Sequence, residues 1–369
     1  MADITTLIVK PQNVLDTALK GYKCELDDLE SELMGEDIPS YTKGKFCYSF
    51  RFMKGGDSKC YRIWISPSLV ANFKLDERLS AISSFLKLNK KELVYFVDFE
   101  YIHNALRDTS ATSYPGVRMD WVDGRPLGDY LKDGNKGANI PPTRQDISRL
   151  ATEFLNMCRI FKKHKMAHGD LSSKNMLVDR NGRIRLVDYD SLYVPGLGTR
   201  AYQTTSGTPG FQHFQRLNSK EKLYASPNDD NFSQQVIYLS LLAIANSEVV
   251  YNQRKTLIDN ELMFASVDLE SVSAFKNSRA YKLIRKEFAP NSLECKLLDE
   301  LSNSIAGPLS KVRPVVDVVG SVVDVSSIVS SLHANIKASY CVNCGQKFGS
   351  AAAKFCIRCG AKRLERSPN

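Results

Sequence analysis

Two runs of polar residues in the chain have the types and spacing of chemical sites. The first run begins with His168-Gly169-Asp170, places Asn175 five residues after Asp170, and continues to Asp188-Tyr189-Asp190. Carboxylate and amide oxygens are the ligands that Mg²⁺ prefers in proteins, and a carboxylate beside such an ion can act as a base. This segment therefore predicts a magnesium site with a base beside it.

The turn signal Asn181-Gly182 is expected to bring these side chains together. An Asn-Gly pair favours a type I′ turn, because that turn needs a positive φ at both central residues. A hairpin with these two residues at its tip places Val178 opposite Arg185 and Asn175 opposite Asp188. The alternative is a surface hairpin whose Asp and Asn side chains only cap its ends.

The second run holds two Cys-x-x-Cys pairs, Cys341/Cys344 and Cys356/Cys359, each followed by a glycine. Two residues between cysteines let both thiolates reach one metal ion, and four thiolates form the closed tetrahedral site of structural zinc. The spacing resembles a zinc ribbon that binds Zn²⁺, with a disulfide pair or an unmetallated tail as the alternatives. The other five cysteines are scattered and are expected to be buried thiols of a reducing compartment.

The chain around these runs is typical of strands first and helices afterwards. Before residue 123 the pattern predicts strands over 45–53, 59–66, 94–99 and 116–122, and a helix over 75–86. Gly55-Gly56 is a hairpin signal between the first two strands. Thr143 and Asp146 form a capping box ahead of an apolar stripe with helical spacing. We therefore expect an α+β fold of two lobes.

Length and composition are those of a folded protein of about two to three domains. The chain has 369 residues, 43% hydrophobic and 25% charged, which excludes a fully disordered chain. The apolar run 236–245 is too short to cross a bilayer, and the N-terminus lacks a signal-peptide pattern, so we expect a cytoplasmic protein without membrane contact. Of a net charge of +9, residues 337–369 supply seven Lys and Arg against one Glu, which indicates either an acidic partner or a solvated face.

The segment around Asp170 resembles the protein kinase superfamily. His168-x-Asp170 with Asn175 looks like the catalytic loop, and Asp188-Tyr189-Asp190 looks like the metal-binding Asp-Phe-Gly position. The resemblance implies that Asp170 orients the accepting hydroxyl, that Asn175 and Asp188 hold Mg²⁺ on the phosphates of ATP, and that Lys174 offsets phosphate charge. The motif His-Gly-Asp-Leu-Ser resembles that of atypical kinases such as the RIO group and of small-molecule phosphotransferases more closely than that of typical protein kinases.

Further residues follow in the order that the resemblance requires over residues 40–305. Gly44 lies at the glycine-rich phosphate loop, Arg62 at the lysine of the third strand, and Glu77 is the candidate partner of that cation. Asp120 and Val122 lie at the hinge, where adenine bonds backbone groups in the family.

Other positions depart from the family pattern or complete it. The phosphate loop has one glycine where the family has three, Arg62 replaces lysine, and Gly169 replaces the arginine that reads an activation-loop phosphate. Residues 208–215 look like the end of an activation segment. Asp230 resembles the aspartate that braces the catalytic loop.

The predicted architecture is therefore a two-lobed protein-kinase-like fold with a small C-terminal zinc ribbon. We expect an N-terminal extension (1–40), two lobes (41–122 and 123–305), a linker with a helix (306–336) and the ribbon (337–369). The predicted function is ATP- and Mg²⁺-dependent phosphoryl transfer to Ser or Thr of a protein substrate. The ribbon is expected to dock a protein partner in preference to nucleic acid. Two alternatives stay open: a pseudokinase scaffold that binds nucleotide or partners without catalysis, and a small-molecule kinase.

Overall fold

A computed structural model describes residues 4–44, 47–64, 71, 74–135, 140–197, 201–258, 262–322, 354–356 and 358. The strands within these residues are β1 (Lys23–Cys24), β2 (Tyr41–Lys43), β3 (Cys47–Lys54), β4 (Asp57–Trp64), β5 (Phe99–Arg107), β6 (Ser113–Asp120), β7 (Gly124–Pro126), β8 (Met176–Asp179) and β9 (Ile184–Leu186). The helices are α1 (Ile4–Ile8), α2 (Asp28–Met34), α3 (Leu75–Leu88), α4 (Leu127–Asp133), α5 (Arg144–His164), α6 (Phe214–Leu217), α7 (Asn231–Asn246), α8 (Glu248–Leu257), α9 (Val272–Asn277), α10 (Arg279–Glu287), α11 (Leu293–Ala306) and α12 (Val315–Val322).

An antiparallel six-stranded sheet is built by the first part of the chain. Strands β3, β4, β6 and β5 lie side by side in that order, and β1 and β2 both pair with the free edge of β3. The hairpin between β3 and β4 turns at Gly55-Gly56 as predicted, because Lys54 lies opposite Asp57. Arg62 faces Ser49 on one side and Val117 on the other, so it projects from the centre of the sheet.

The N-terminal extension covers part of this sheet. Side chains of the extension and of the sheet share one buried apolar cluster, which includes Ile4, Leu7, Ile8, Leu19, Phe50, Phe52, Tyr61 and Ile63. Burial of apolar area is the main favourable term in folding. The extension is therefore an integral layer of the fold over its described residues.

Helices α5 and α7 form the centre of the second part of the chain. The predicted capping box at the start of α5 is present: the Asp146 N–H donates to Thr143 Oγ1 at 3.1 Å, and the Thr143 N–H donates to Asp146 Oδ2 at 3.0 Å. The apolar stripe of α5 is buried, and α7 is buried on nearly every side. A second sheet, in the order β7-β8-β9, joins β7, which precedes α5 in the chain, to β8 and β9, which follow it. The expected α+β class is confirmed.

The strand predicted over 94–99 is wrong for most of its length, because β5 begins only at Phe99. Val94 and Phe96 donate their N–H groups to Glu92 O and Leu93 O, which makes a local turn. Phe96 packs against aromatic rings of the second part of the chain, Phe161 and Tyr189. Apolar residues in a buried turn and in a buried strand give the same sequence signal.

No helix of the described residues combines the length and the apolar character needed to span a membrane.

Candidate functional site

The predicted hairpin of β8 and β9 is present, but its register differs by one residue from the prediction. Val178 lies opposite Ile184 and not opposite Arg185. The Asp179 N–H donates to Arg183 O at 2.9 Å, and Gly182 has a φ of +69° whereas Asn181 is not in the left-handed region. The connection is therefore a three-residue loop that ends in a left-handed glycine, and not a type I′ turn.

The change of register moves Asp188 away from its predicted position. The Val187 N–H donates to Asn175 O at 3.0 Å, so Val187 is the residue opposite Asn175 and the predicted pairing of Asn175 with Asp188 is wrong. Asp188 follows with a φ of +66°, which is uncommon for a residue with a side chain. This left-handed step redirects the chain immediately after β9, at the start of the Tyr189–Ser191 turn.

The segment 168–175 is held at both of its ends. Asn175 Nδ2 donates to Asp170 O at 2.8 Å, and the amide oxygen Oδ1 is the acceptor of that side chain. His168 Nε2 lies 2.9 Å from Val187 O and donates to it. These bonds fix the loop against the hairpin that follows it.

Asp230 braces the loop from α7, as predicted. Its carboxylate is fully buried and accepts the backbone N–H groups of His168 and Gly169, the latter at 2.9 Å. Burial raises the pKa of Asp230, and the neighbouring His168 and the two N–H donors act in the opposite direction. A buried carboxylate is retained at such a place because its oxygens are satisfied by these donors.

Gly169 is required by a close approach of two chain segments. Its φ is +80°, and a Cβ at this position would lie 2.2 Å from Ser191 O. The segment after Asp188 therefore passes directly over Gly169, where a residue with a side chain would collide with backbone.

Arg62 crosses from the first sheet to the Asp188–Asp190 turn. Its Nη1 donates to Asp188 Oδ1 at 3.0 Å and to Asp190 Oδ1 at 3.3 Å, and its Nη2 donates to Asp190 Oδ2 at 3.0 Å and lies 3.1 Å from Cys47 Sγ. The Arg62 side chain is 11% exposed. The cation of β4 thus contacts both carboxylates that follow β9.

Glu77 does not pair with Arg62, and that prediction is wrong. Its side chain is 77% exposed and lies 3.9 Å from Lys74 Nζ, one turn away on the same helix. The charged residue of α3 that is buried is the neighbour of Glu77, Arg78, which is 4% exposed. A helix turns by about 100° per residue, so only one of two adjacent side chains can face the core.

The two carboxylates bonded by Arg62 differ in their exposure and in their pKa. Asp188 is 47% exposed and Asp190 is 14% exposed at the side chain. Burial raises the pKa of Asp188, but the Arg62 and His168 charges outweigh it, so that the pKa of Asp188 is lowered. Burial and the charge of Asp188 raise the pKa of Asp190, against the opposing effect of Arg62.

Arg78 anchors the segment that follows the Asp188–Asp190 turn. Its guanidinium donates to Tyr202 O at 2.9 Å, Ser191 O at 3.1 Å and Leu192 O at 3.2 Å. Burial lowers the pKa of Arg78 to about 10, so the side chain is still protonated at neutral pH. Arg78 has no distinctive signal in the sequence, because a charged side chain in an amphipathic helix is ordinarily assigned to the solvent face.

Arg216 of α6 is a second buried arginine that sequence reasoning missed. It is 2% exposed and donates to three groups of residues 203–212, to Asp229 O and to Gly169 O. It therefore ties residues 203–216 to the loop of Asp170.

Asp170 accepts two hydrogen bonds from Thr208. The Thr208 N–H and hydroxyl donate to the same oxygen, Asp170 Oδ1, at 2.8 and 2.9 Å. Asp170 is partly exposed, and Lys174 on the same loop is exposed. The structure thus brings Asp170, Lys174 and Asn175 together on one loop, with residues 203–208 beside it.

The residues predicted to contact a nucleotide are engaged within the protein in two cases. The Gly44 N–H donates to Cys47 O at 2.8 Å, so this amide is not a free phosphate donor. The Asp120 N–H donates to Asp98 O at 3.2 Å, and its carboxylate accepts from Lys59 Nζ at 2.7 Å. Val122 lies in the partly exposed link between β6 and β7.

The predicted zinc ligands lie mostly outside the described residues. Cys341, Cys344 and Cys359 are not described, and Cys356 is described and 3% exposed. Zinc binding by these cysteines stays a prediction. Of the five scattered cysteines, Cys47, Cys158 and Cys295 are buried free thiols as expected, and Cys24 and Cys60 are half-buried free thiols.

A comparison with models of known protein families finds no match, and no curated protein matches the chain. Function is therefore inferred from the site itself. The oxygen donors fit a magnesium ion in chemistry: Asp188 is a half-exposed carboxylate with a lowered pKa, and Asn175 is a partly exposed residue whose amide nitrogen, not its amide oxygen, bonds Asp170 O.

Proposed function

We propose that this protein is a divergent two-lobed protein-kinase-like enzyme that transfers a phosphoryl group from ATP to a Ser or Thr hydroxyl of a protein. One observation carries the proposal: Arg62, from the centre of the first sheet, donates to Asp188 at 3.0 Å, in a turn whose neighbouring loop holds Asp170 and Asn175. A cation, a proposed base and two proposed oxygen ligands therefore lie on three segments that contact one another. Phosphoryl transfer requires mostly such positioning and charge.

The proposed roles follow from the position and exposure of each group. Asp188 and the Oδ1 of Asn175 would hold Mg²⁺, which, when bound, neutralises charge on the transferred phosphoryl group. Arg62 and the exposed Lys174 would bind the phosphates. Asp230 keeps the loop rigid through His168 and Gly169, so that no reorganisation is needed when substrates bind.

Asp170 is proposed to orient the accepting hydroxyl. Thr208 occupies its Oδ1, so Oδ2 is the oxygen proposed to meet the incoming hydroxyl. A positioned carboxylate of this kind can accept the proton of the hydroxyl as the new P–O bond forms.

A protein substrate is favoured over a small molecule by the segment beside Asp170. Arg78 and Arg216 bond its backbone, and Thr208 bonds the base itself. A segment held this firmly beside the base offers an ordered edge for an extended peptide. The proposed role of the zinc ribbon is to dock a protein partner.

A scaffold that binds nucleotide without catalysis is the second candidate. Two observations favour it: the Gly44 N–H is used by Cys47 O, and Arg62 is bonded to the carboxylate that would hold magnesium. Both reduce the groups that are free to bind phosphates.

The test compares the wild-type full chain with Asp188→Asn and with a matched control, Asp98→Asn, whose exposed carboxylate pairs with Lys90. Each protein is incubated with γ-labelled ATP, Mg²⁺ and a generic protein substrate. Label transferred by the wild type and Asp98→Asn but not by Asp188→Asn is the expected result. ATP binding with no label transferred by any of the three proteins would support the scaffold. Equal transfer by the wild type and by Asp188→Asn would overturn the assignment of the site.

A further inference from the structure

We infer that Asp190 is the positioning residue that keeps Arg62 directed at the nucleotide phosphates, in place of Glu77. The inference rests on the proposed function, because it concerns the nucleotide side of the same cleft. Asp190 is 14% exposed at the side chain, whereas Glu77 is 77% exposed and pairs with Lys74 on its own helix. Only one of these carboxylates contacts the cation.

The contact between Arg62 and Asp190 is a bidentate ion pair. Nη1 donates to Oδ1 at 3.3 Å and Nη2 donates to Oδ2 at 3.0 Å, so both carboxylate oxygens are held by one guanidinium plane. Bidentate pairs fix orientation as well as distance. A lysine ammonium at position 62 could not match this geometry, because it presents a single charged point.

Asp188 makes a different kind of contact with the same arginine. It receives one hydrogen bond, at 3.0 Å, and its side chain is 47% exposed. If Asp188 were given to a divalent cation, Arg62 would still be held through both oxygens of Asp190. The two carboxylates of the Asp188-Tyr189-Asp190 sequence therefore divide two tasks that one carboxylate could not perform together.

The backbone around Asp190 is fixed by neighbouring residues. Tyr189 is buried and packs against Phe96 and Phe99, and the Thr204 hydroxyl donates to Asp190 O at 3.3 Å. Cys47 Sγ lies 3.1 Å from Arg62 Nη2 and is a further contact of the guanidinium. Because Asp190 is itself held by this packing, it is suited to hold Arg62 in place.

The test uses the full chain and measures the KM for ATP, the kcat of phosphoryl transfer and the Kd of a fluorescent ATP analogue in the presence of Mg²⁺. The variants are Asp190→Asn, Asp190→Glu and Glu77→Gln. Asp190→Asn is expected to raise the KM and the Kd by about 10- to 100-fold, because a misdirected cation loses most of its effect. Asp190→Glu is expected to recover part of this loss, and Glu77→Gln is expected to change neither constant.

A purely structural role for Asp190 would reduce the amount of folded protein without changing the Kd of the molecules that remain folded. Unchanged nucleotide affinity in folded Asp190→Asn would therefore overturn the inference, as would an equal loss in Glu77→Gln. If Asp190→Asn does not fold, Asp190→Ser takes its place, with a raised Kd supporting the inference and a wild-type Kd overturning it. A wild-type chain that binds the analogue but transfers no label contradicts the proposed function alone, and one that does not bind it contradicts both.

Discussion

Thr208 donates both its backbone N–H and its hydroxyl to one oxygen of Asp170, at 2.8 and 2.9 Å. These two residues belong to segments that are 38 positions apart in the chain. The contact fixes one carboxylate oxygen, Oδ1, and leaves Oδ2 outside this pair of bonds. It also connects the segment proposed to receive the substrate with the proposed base, so both are positioned by one pair of bonds.

Replacing Thr208 by valine should slow phosphoryl transfer without changing nucleotide affinity. The variant loses one hydrogen bond to a charged group, worth about 1.5 kcal/mol, which corresponds to about a tenfold lower kcat. Thr208→Ser keeps the hydroxyl and should retain kcat within about threefold. Steady-state kinetics at saturating ATP measures both, and a wild-type kcat in Thr208→Val would contradict this role.

Replacing Gly169 by alanine should destabilise the protein strongly. The residue has a φ of +80°, and the new Cβ would lie 2.2 Å from Ser191 O, so the strain of about 1–2 kcal/mol for a left-handed residue is added to a backbone collision. We expect the free energy of unfolding to fall by about 3 kcal/mol or more.

The matched control for this substitution is Gly196→Ala. Gly196 is not in the left-handed region, and nothing lies within 4 Å of its added Cβ. Its free energy of unfolding, measured by urea denaturation, should stay within about 0.5 kcal/mol of that of the wild type. Equal midpoints for the two variants would show that Gly169 is not under the constraint described above.

Glu153 should make the stability of the protein depend on pH. Burial raises its pKa from 4.5 to about 7, although the Ile184 N–H and the Arg149 charge act in the opposite direction. The folded state therefore holds this proton more tightly than the unfolded state does. The stabilising contribution is present below the unfolded pKa and is lost as the pH rises towards 7.

Glu153→Gln removes this titration. We expect the variant to be more stable than wild type by about 3 kcal/mol above pH 7 and to approach wild type below pH 4.5. Unfolding in urea across pH 4 to 8 measures the difference, with the exposed Glu270→Gln as the control. A pH-independent difference between Glu153→Gln and wild type would contradict the prediction.

The four cysteines of the predicted ribbon should bind one zinc ion per chain. Thiolate ligands bind Zn²⁺ tightly near neutral pH, so the metal should remain through purification and be removed by a strong chelator. Metal analysis of the full chain should give about one Zn²⁺ for the wild type and much less for Cys356→Ser. Cys295→Ser, at a buried thiol of α11, should keep its zinc. Equal zinc contents in the two variants would contradict a four-cysteine site.

Local features of the site were predictable from the sequence where neighbouring residues alone determine them. The capping box of Thr143 and Asp146, the Gly55-Gly56 turn and the brace from Asp230 are present as expected. The register of the β8–β9 hairpin was not, because an Asn-Gly pair fits both a two-residue turn and a three-residue loop with glycine at its left-handed position.

The partners of the arginines depend on contacts across the fold. The sequence places Glu77 on the helix after Arg62, but the direction of that helix face places Arg78 inside and Glu77 outside. Asp190 is the partner of Arg62 because the turn after β9 brings its carboxylate to the guanidinium. A single sequence carries no signal for long-range ion pairs of this kind, because both Glu77 and Asp190 lie at positions where a carboxylate fits the local sequence pattern.

Asp170 is proposed to act on the hydroxyl and not on the nucleotide. The most direct measurement is a single-turnover experiment in which the full chain and its Asp170→Asn variant are loaded with labelled ATP and Mg²⁺ and then given substrate. We expect Asp170→Asn to bind ATP with the wild-type Kd and to transfer label at least about 100-fold more slowly. Transfer by Asp170→Asn at the wild-type rate would contradict the account.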